Sequence, residues 1–322
     1  MESAKNDPEK LIEKAEEKLE PGFFKAVFSS AEERIEKAIK YYTEAAEILR
    51  MEKKWERAGD CFVEIGKLYG VLKESGDEFE AYDQAIECYD RSGCFEKYGK
   101  IVDKCVELNI KSNSFSRAAE LLFKKIQYKK TDKNNIEQIL EELNQVLDYY
   151  DMDKDSKEGD VSKVKEYKAD LIVKYELKDD LDMAKFLYEE LGNNCLKSSH
   201  NKHSAKEYFA KVILTILAFD DYITAKAYLS KFAKKDNSFL SSNIGVFIDN
   251  LISSFDNVAN NVIKDPDGSE PMNISKAIKI YKNNMKSFNV DQWKESLIDK
   301  IKIKLTEIEN QYGHDREEED FK

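Results

Sequence analysis

From Gly22 to Asp265 the chain runs for 244 residues without a proline. Its only four prolines, among 322 residues, stand at 8, 21, 266 and 271. Proline and glycine punctuate turns because one fixes φ and the other permits positive φ. A β-sandwich or barrel needs a turn about every 8–12 residues and could hardly be built from such a chain. Long helices are the alternative. The composition suits them, with 36% charged and 41% apolar residues, so that each helix can bury one stripe and wet the other. The 17 phenylalanines and 17 tyrosines are a large stock of core-filling rings and do not fit a disordered chain. The length is ample for a core, as one elongated array or as two domains.

A net charge of −12 argues against a general nucleic-acid binder, since the average field repels a polyanion. The 52 lysines and arginines still leave room for a local basic face. No apolar run reaches the roughly 18 residues that span a bilayer. The first twenty residues are charged and helical in pattern, unlike a secretory signal. The five cysteines (61, 88, 94, 105 and 195) are odd in number and read as free cytosolic thiols.

One pattern recurs along the chain: alanine, three residues, then an aromatic. It appears at Ala38/Tyr42, Ala58/Phe62, Ala85/Tyr89, Ala184/Tyr188, Ala205/Phe209 and Ala277/Tyr281, with Ala118/Leu122 as a looser copy. A small residue lets two helices approach, and a ring one turn later fills the adjacent groove. The steps from 85 to 118 and from 118 to 184 are 33 and 66 residues. That spacing is close to the 34-residue tetratricopeptide period, and Trp55-x-x-Ala58-Gly59-x-x-Phe62 is similar to the first helix of such a repeat. The expectation is an all-α, tetratricopeptide-like, right-handed solenoid of antiparallel helix pairs with about fourteen helices. The predicted spans are 7–20, 31–51, 53–73, 77–91, 94–109, 114–129, 134–150, 158–178, 180–196, 202–218, 220–235, 238–254, 272–286 and 290–312. Break signals stand at Ser75-Gly76-Asp77, Ser92-Gly93, Ser112-Asn113-Ser114, Thr131–Asn134 and Gly192-Asn193-Asn194. Residues 256–272 read as the longest interior loop.

Three segments offer binding chemistry. Pro21–Ser30 carries Phe23, Phe24, Val27 and Phe28 between two helices. By spacing alone it is either a buried staple or an exposed apolar tip for a bilayer or partner. The C-terminus carries the acids Glu317, Glu318, Glu319 and Asp320 followed by Phe321, either a solvated tail or a docking peptide. Basic positions at Lys53, Lys54, Arg117, Lys124, Lys125, Lys129, Lys130, Lys163, Lys165, Lys168 and Lys202 either solubilise the helices or line one face that meets an acidic partner. Enzyme signatures are missing. The three histidines (200, 203 and 314) form no zinc motif, and no phosphate-binding loop or nucleophile elbow occurs. Neither an enzyme nor a cofactor is expected.

Five stretches in order resemble the soluble NSF attachment proteins of the alpha and beta types. They are Phe23-Phe24-Lys-Ala-Val-Phe28, the run Ile35–Trp55, the run Lys202–Lys211, Val290-Asp291-Gln292-Trp293, and Glu318-Glu319-Asp320-Phe321-Lys322. The resemblance implies an adaptor, cytoplasmic and peripherally attached to membranes. Such an adaptor wraps a SNARE four-helix bundle of the syntaxin type with the concave face of a twisted helix-pair sheet. Its C-terminal bundle recruits and stimulates NSF, a hexameric AAA ATPase that disassembles the SNAREs in intracellular vesicle transport. On this reading residues 1–200 form the sheet and 201–322 the C-terminal helical bundle. The resemblance places Phe23, Phe24, Val27 and Phe28 in a membrane-attachment loop. Lys54 matches a basic SNARE-contacting position, Lys165 or Lys168 matches another, and Arg117, Lys124 and Lys125 are further candidates. Asp221, Glu317, Glu318, Glu319, Asp320 and Phe321 are the candidates to meet NSF. Three positions depart from the resemblance: Glu120 and Asn243 stand where the family has basic residues, and Phe321 stands where it has a leucine. The alternative is a generic tetratricopeptide scaffold that grips a peptide tail of a chaperone or signalling partner.

Overall fold

A computed structural model describes residues 7–20, 30–198, 201–260, 262, 264–266, 268–284 and 292–319. Among these residues there are fourteen α-helices and no strand. The chain forms two compact units, Met1–Lys157 and Glu158–Lys322.

The first unit holds α1 (Pro8–Leu19), α2 (Ala31–Met51), α3 (Trp55–Leu72), α4 (Ser75–Ser92), α5 (Phe95–Lys111), α6 (Phe115–Tyr128) and α7 (Ile136–Met152). From α2 to α7, each helix packs on the one before it. Local chemistry sets the starts. The Asp7 carboxylate caps α1 by accepting from the Glu9 N–H, with Pro8 at the first helical position, and the Ser30 hydroxyl caps α2 through the Glu33 N–H.

The ends follow one device. Lys53, Lys73, Gly93 and Asn113 all have φ between 58° and 70°, and they recur every 20 residues. After each, an N–H bonds back to the carbonyl five residues earlier: Lys54 to Leu49, Glu74 to Tyr69, Cys94 to Tyr89 and Ser114 to Asn109. This is the left-handed closure that satisfies the last carbonyls of a helix. One helix and its link therefore take 20 residues and a helix pair takes about 40, longer than the 34 suggested by the alanine spacing. Identical closures turn each helix back by the same geometry, which makes a regular array from an irregular sequence.

The second unit holds α8 (Glu158–Tyr175), α9 (Leu181–Lys197), α10 (Lys202–Phe219), α11 (Tyr222–Lys235), α12 (Asn243–Ala259), α13 (Ile274–Asn284) and α14 (Gln292–Glu319). Its centre is α10, where every residue from Phe209 to Leu217 is buried. Helices α9, α11, α12 and α14 pack around it. Helix α9 packs on both α8 and α10, and the two compact units part at 157/158.

All seven alanines of the recurrent pattern, and the rings or leucine that follow them, are buried. Three expectations are corrected. Gly192-Asn193-Asn194 lies inside α9, because Gly192 faces the ring of Phe209. Helix α12 starts at Asn243 instead of 238, capped by the Ser242 hydroxyl on the Gly245 N–H. Helix α14 continues through Gly313 to Glu319, beyond the expected end at 312, although a glycine inside a helix costs about 1 kcal/mol.

Candidate partner-binding faces

In the first unit, Arg117 and Lys124 share one side of α6 and line a groove of about 510 Å³ against α4. Arg117 is tightly held. Its Nη2 donates to both oxygens of Asp83 at 3.0 Å, and its Nη1 donates to Glu120 at 3.0 Å. Burial opposes the guanidinium charge, but Asp83 and Glu120 together keep it above its ordinary value. Glu120 also accepts Lys124 at 3.0 Å. Burial works against its carboxylate, yet Lys124 and Arg117 hold it below the usual range. Glu120 is thus pinned between two cations. The groove also carries Glu87, Asp90 and the exposed ring of Tyr128, whose hydroxyl donates to Asp90 at 2.5 Å. It is a mixed-charge surface, not a plain basic one.

Lys125 does not join this groove. Successive helical residues point about 100° apart, and Lys125 turns toward α5 to pair with Asp103. Lys54 sits in the link between α2 and α3. Its Nζ lies 2.8 Å from Glu52, which raises its pKa. Lys53, Arg57 and Arg91 stand around it, with Arg91 stacked over Trp55 at 4.7 Å.

In the second unit, Lys165 donates to Glu190 of α9 at 2.6 Å. Lys168 is half-buried, and the loss of water lowers its pKa. Asp221 caps α11, accepting from the N–H and the hydroxyl of Thr224, both at 2.7 Å, and these bonds hold its carboxyl below the usual range. Phe23, Phe24, Val27, Phe28, Asp320 and Phe321 lie outside the described residues. Glu317, Glu318 and Glu319 form the last turn of α14, their side chains outside the described set.

Sequence reasoning missed one cluster. Lys211 lies within the apolar run of α10 and is 8% exposed. Its Nζ donates to Glu166 and Asp170 of α8, both at 2.8 Å. The hydroxyls of Tyr208 and Tyr188 add bonds to Glu166 (2.8 Å) and Asp170 (2.6 Å). Burial raises the Asp170 pKa despite the opposing pull of Lys211 and Tyr188. A lone lysine amid Phe209–Leu217 was the available signal. The cluster ties α8 to α10 and is structural.

Three buried cysteines are not activated nucleophiles. Burial pushes the thiols of Cys61 and Cys105 up to about 12 and that of Cys88 up to about 11. No group of acids, histidines and cysteines among the described residues could hold a metal. No helix among them is long and apolar enough to cross a membrane. What the surfaces offer is charge and apolar contact.

The family model for "Soluble NSF attachment protein, SNAP" matches residues 6–306. The chain belongs to the soluble NSF attachment protein family. Its relatives include the vesicular-fusion protein SEC17 of Komagataella phaffii, 28% identical over 73% of this chain and 78% of that protein. The alpha-soluble NSF attachment protein of Saccharomyces cerevisiae is 25% identical over 95% of this chain and 99% of its own length. The human alpha-soluble NSF attachment protein is 26% identical, covering 72% and 77%. Soluble NSF attachment proteins are adaptors in vesicle fusion, not enzymes, and this chain acts by binding.

Proposed function

We propose that the chain holds an assembled SNARE four-helix bundle and presents it to an NSF-type hexameric AAA ATPase, which it stimulates. The observation that carries this reading is the family match across residues 6–306, together with an alpha-soluble NSF attachment protein aligned over 99% of its own length. The α4/α6 groove supports a partner whose surface mixes charges, because Arg117 and Lys124 are balanced there by Asp83, Glu87 and Asp90. The SNARE contacts assigned on this reading are Lys54, Arg117 and Lys124 in the first unit and Lys165 or Lys168 in the second. Lys125, which pairs with Asp103, is a weaker candidate. The ATPase contacts are Asp221 and the acidic end, Glu317 to Phe321. Phe23, Phe24, Val27 and Phe28 give reversible attachment to the bilayer, since a few partly inserted rings at about 25 cal/mol per Å² yield only several kcal/mol. Residues 1–200 act on the bundle and 201–322 act on the ATPase.

The test compares retention of an assembled syntaxin-type SNARE complex with retention of its single helical segments. The adaptor reading expects the folded complex to be held and the isolated segments not. Equal capture of single segments would contradict it.

A further inference from the structure

The first two helices sort their charges by face. On α1, Lys10, Lys14 and Lys18 stand one turn apart in a single stripe. Acids of α1 turn the other way: Glu9 pairs with Arg57 of α3, and Glu16 lines a groove with Asp60 and Glu64 of that helix. On α2, Arg34, Lys37 and Tyr41 follow at i, i+3 and i+7, again one stripe. The two stripes adjoin, because Lys14 Nζ lies over the Tyr41 ring, 6.0 Å from its centroid. The helices run antiparallel, since Glu9 near the start of α1 reaches Arg57, just past the end of α2. Lys18 therefore lies toward Arg34 and Lys37, where α1 ends and α2 begins. None of these five cations forms an ion pair among the described residues, whereas Arg50, Arg57 and Lys67 farther along the chain all do. Arg34 Nη1 is shut off from solvent and finds no acceptor. Glu17, Glu33 and Glu44 border the face, so cations hold the majority here in a chain of net charge −12.

We propose that this α1/α2 face seats on the headgroups of anionic phospholipids at a membrane surface. A lysine without an ion-pair partner keeps its full attraction for a fixed negative charge, and each one near an anionic leaflet strengthens attachment. Phosphate oxygens supply the acceptor that Arg34 Nη1 lacks, in the geometry a guanidinium fits best. The stripes lie side by side over about two turns of each helix, a breadth that suits a planar array of repeated charges. The proposal rests on the bilayer attachment given above to Phe23, Phe24, Val27 and Phe28, which these two helices flank in sequence. Apolar insertion of a few rings is weak and reversible, and a basic patch beside it is the second signal that stable attachment needs. What the face adds is a preference among lipids: the chain selects membranes by their surface charge.

The test is flotation of the full-length chain with vesicles of phosphatidylcholine alone, or with about one third phosphatidylserine, at about 50 mM and about 500 mM salt. Binding to the anionic vesicles is expected to exceed binding to the neutral ones at least about tenfold at low salt, and the excess should vanish at high salt. The Lys10→Glu/Lys14→Glu/Lys37→Glu variant should lose that excess with thermal melting unchanged, since all three side chains are exposed. A control with the same change of net charge, Lys104→Glu/Lys111→Glu/Lys133→Glu, should keep it. Phe23→Ser with Phe24→Ser should lower binding to both kinds of vesicle and leave their ratio. If that variant floats as the parent does while the lysine reversal still acts, the phenylalanine reading fails and the lipid face stands. Equal binding to the two kinds of vesicle, indifference to the lysine reversal, or equal loss in the control would overturn the proposal. So would a lysine reversal that floats as the parent does yet no longer retains a soluble SNARE complex, because the occupant would then be a protein.

Discussion

The ring of Tyr89 on α4 occupies the space that a side chain at Gly59 on α3 would need: a Cβ there would lie 2.7 Å from Tyr89 Cε1. One heptad along, Gly66 receives Tyr82 in the same way, so two glycines and two tyrosines set the antiparallel register of the pair. Gly59→Ala must displace that ring. Overpacking costs about 1–3 kcal/mol, of which better helix propensity returns up to about 1 kcal/mol. A net destabilisation of about 1–2 kcal/mol is expected. The control is Gly99→Ala on α5, where a Cβ would meet only Lys125 Cε at 3.7 Å. It should stabilise by about 0.5–1 kcal/mol. Urea unfolding of both variants checks the contrast, and two changes of the same sign would contradict it.

Glu120 bridges Arg117 and Lys124, and its removal should release both cations toward a partner. Glu120→Gln is expected to tighten binding to an acidic SNARE complex by about two- to fivefold at low salt, with the gain lost at high salt. Arg117→Ala should act in the opposite direction and cost about 1 kcal/mol of stability, because the half-buried tie to Asp83 on α4 is lost. Binding titrations at two salt concentrations test both signs.

Lys211 neutralises two carboxylates beside the core of the second unit. Lys211→Met would leave Glu166 and Asp170 facing each other without a cation, at a cost of about 2–4 kcal/mol at neutral pH. The sign of the pH dependence follows from Asp170. Its folded pKa is already raised by burial, and losing Lys211 raises it further. A carboxyl with a raised folded pKa favours the folded state when protonated, and that advantage is lost as pH rises through the folded value. The deficit of the variant relative to the parent should therefore shrink as pH falls from 7 toward 5. Denaturation midpoints across that range provide the check, and a deficit that grows with acidity would contradict the account.

Two terminal segments separate by function on the adaptor reading. Phe23→Ser with Phe24→Ser should slow disassembly of membrane-anchored SNAREs at least about tenfold and leave soluble complexes within about twofold. Equal loss on both substrates would favour a buried staple instead. Deleting residues 317–322 should abolish ATPase stimulation and spare SNARE retention.

The helices were legible because their apolar stripes repeat at helical spacing. Ala38, Ala58 and Ala118, which lie at multiples of 20 residues from one another, are all fully buried. The 20-residue beat itself was hidden. It is carried by the backbone of Lys53, Lys73 and Asn113, and only Gly93 announces its positive φ by residue type. Gly192 misled as a break for a related reason. A glycine that ends a helix and one that receives a ring look alike until Phe209 is placed against it. Among the site candidates, Lys124 and Lys125 are neighbours in sequence, yet Lys124 lines the groove against α4 and Lys125 pairs with Asp103 of α5. Charge pairing was less legible still, since Arg117 finds Asp83 34 residues away.

On the proposed function, this chain couples a SNARE complex to an NSF-type ATPase. The most direct measurement is ATP-dependent disassembly of a purified SNARE complex by NSF, followed by fluorescence dequenching, with and without the chain. Rapid disassembly is expected only when the chain and ATP are both present, reduced by Arg117→Ala and abolished by deletion of 317–322. Disassembly that proceeds equally without the chain, or fails with it, would contradict the account.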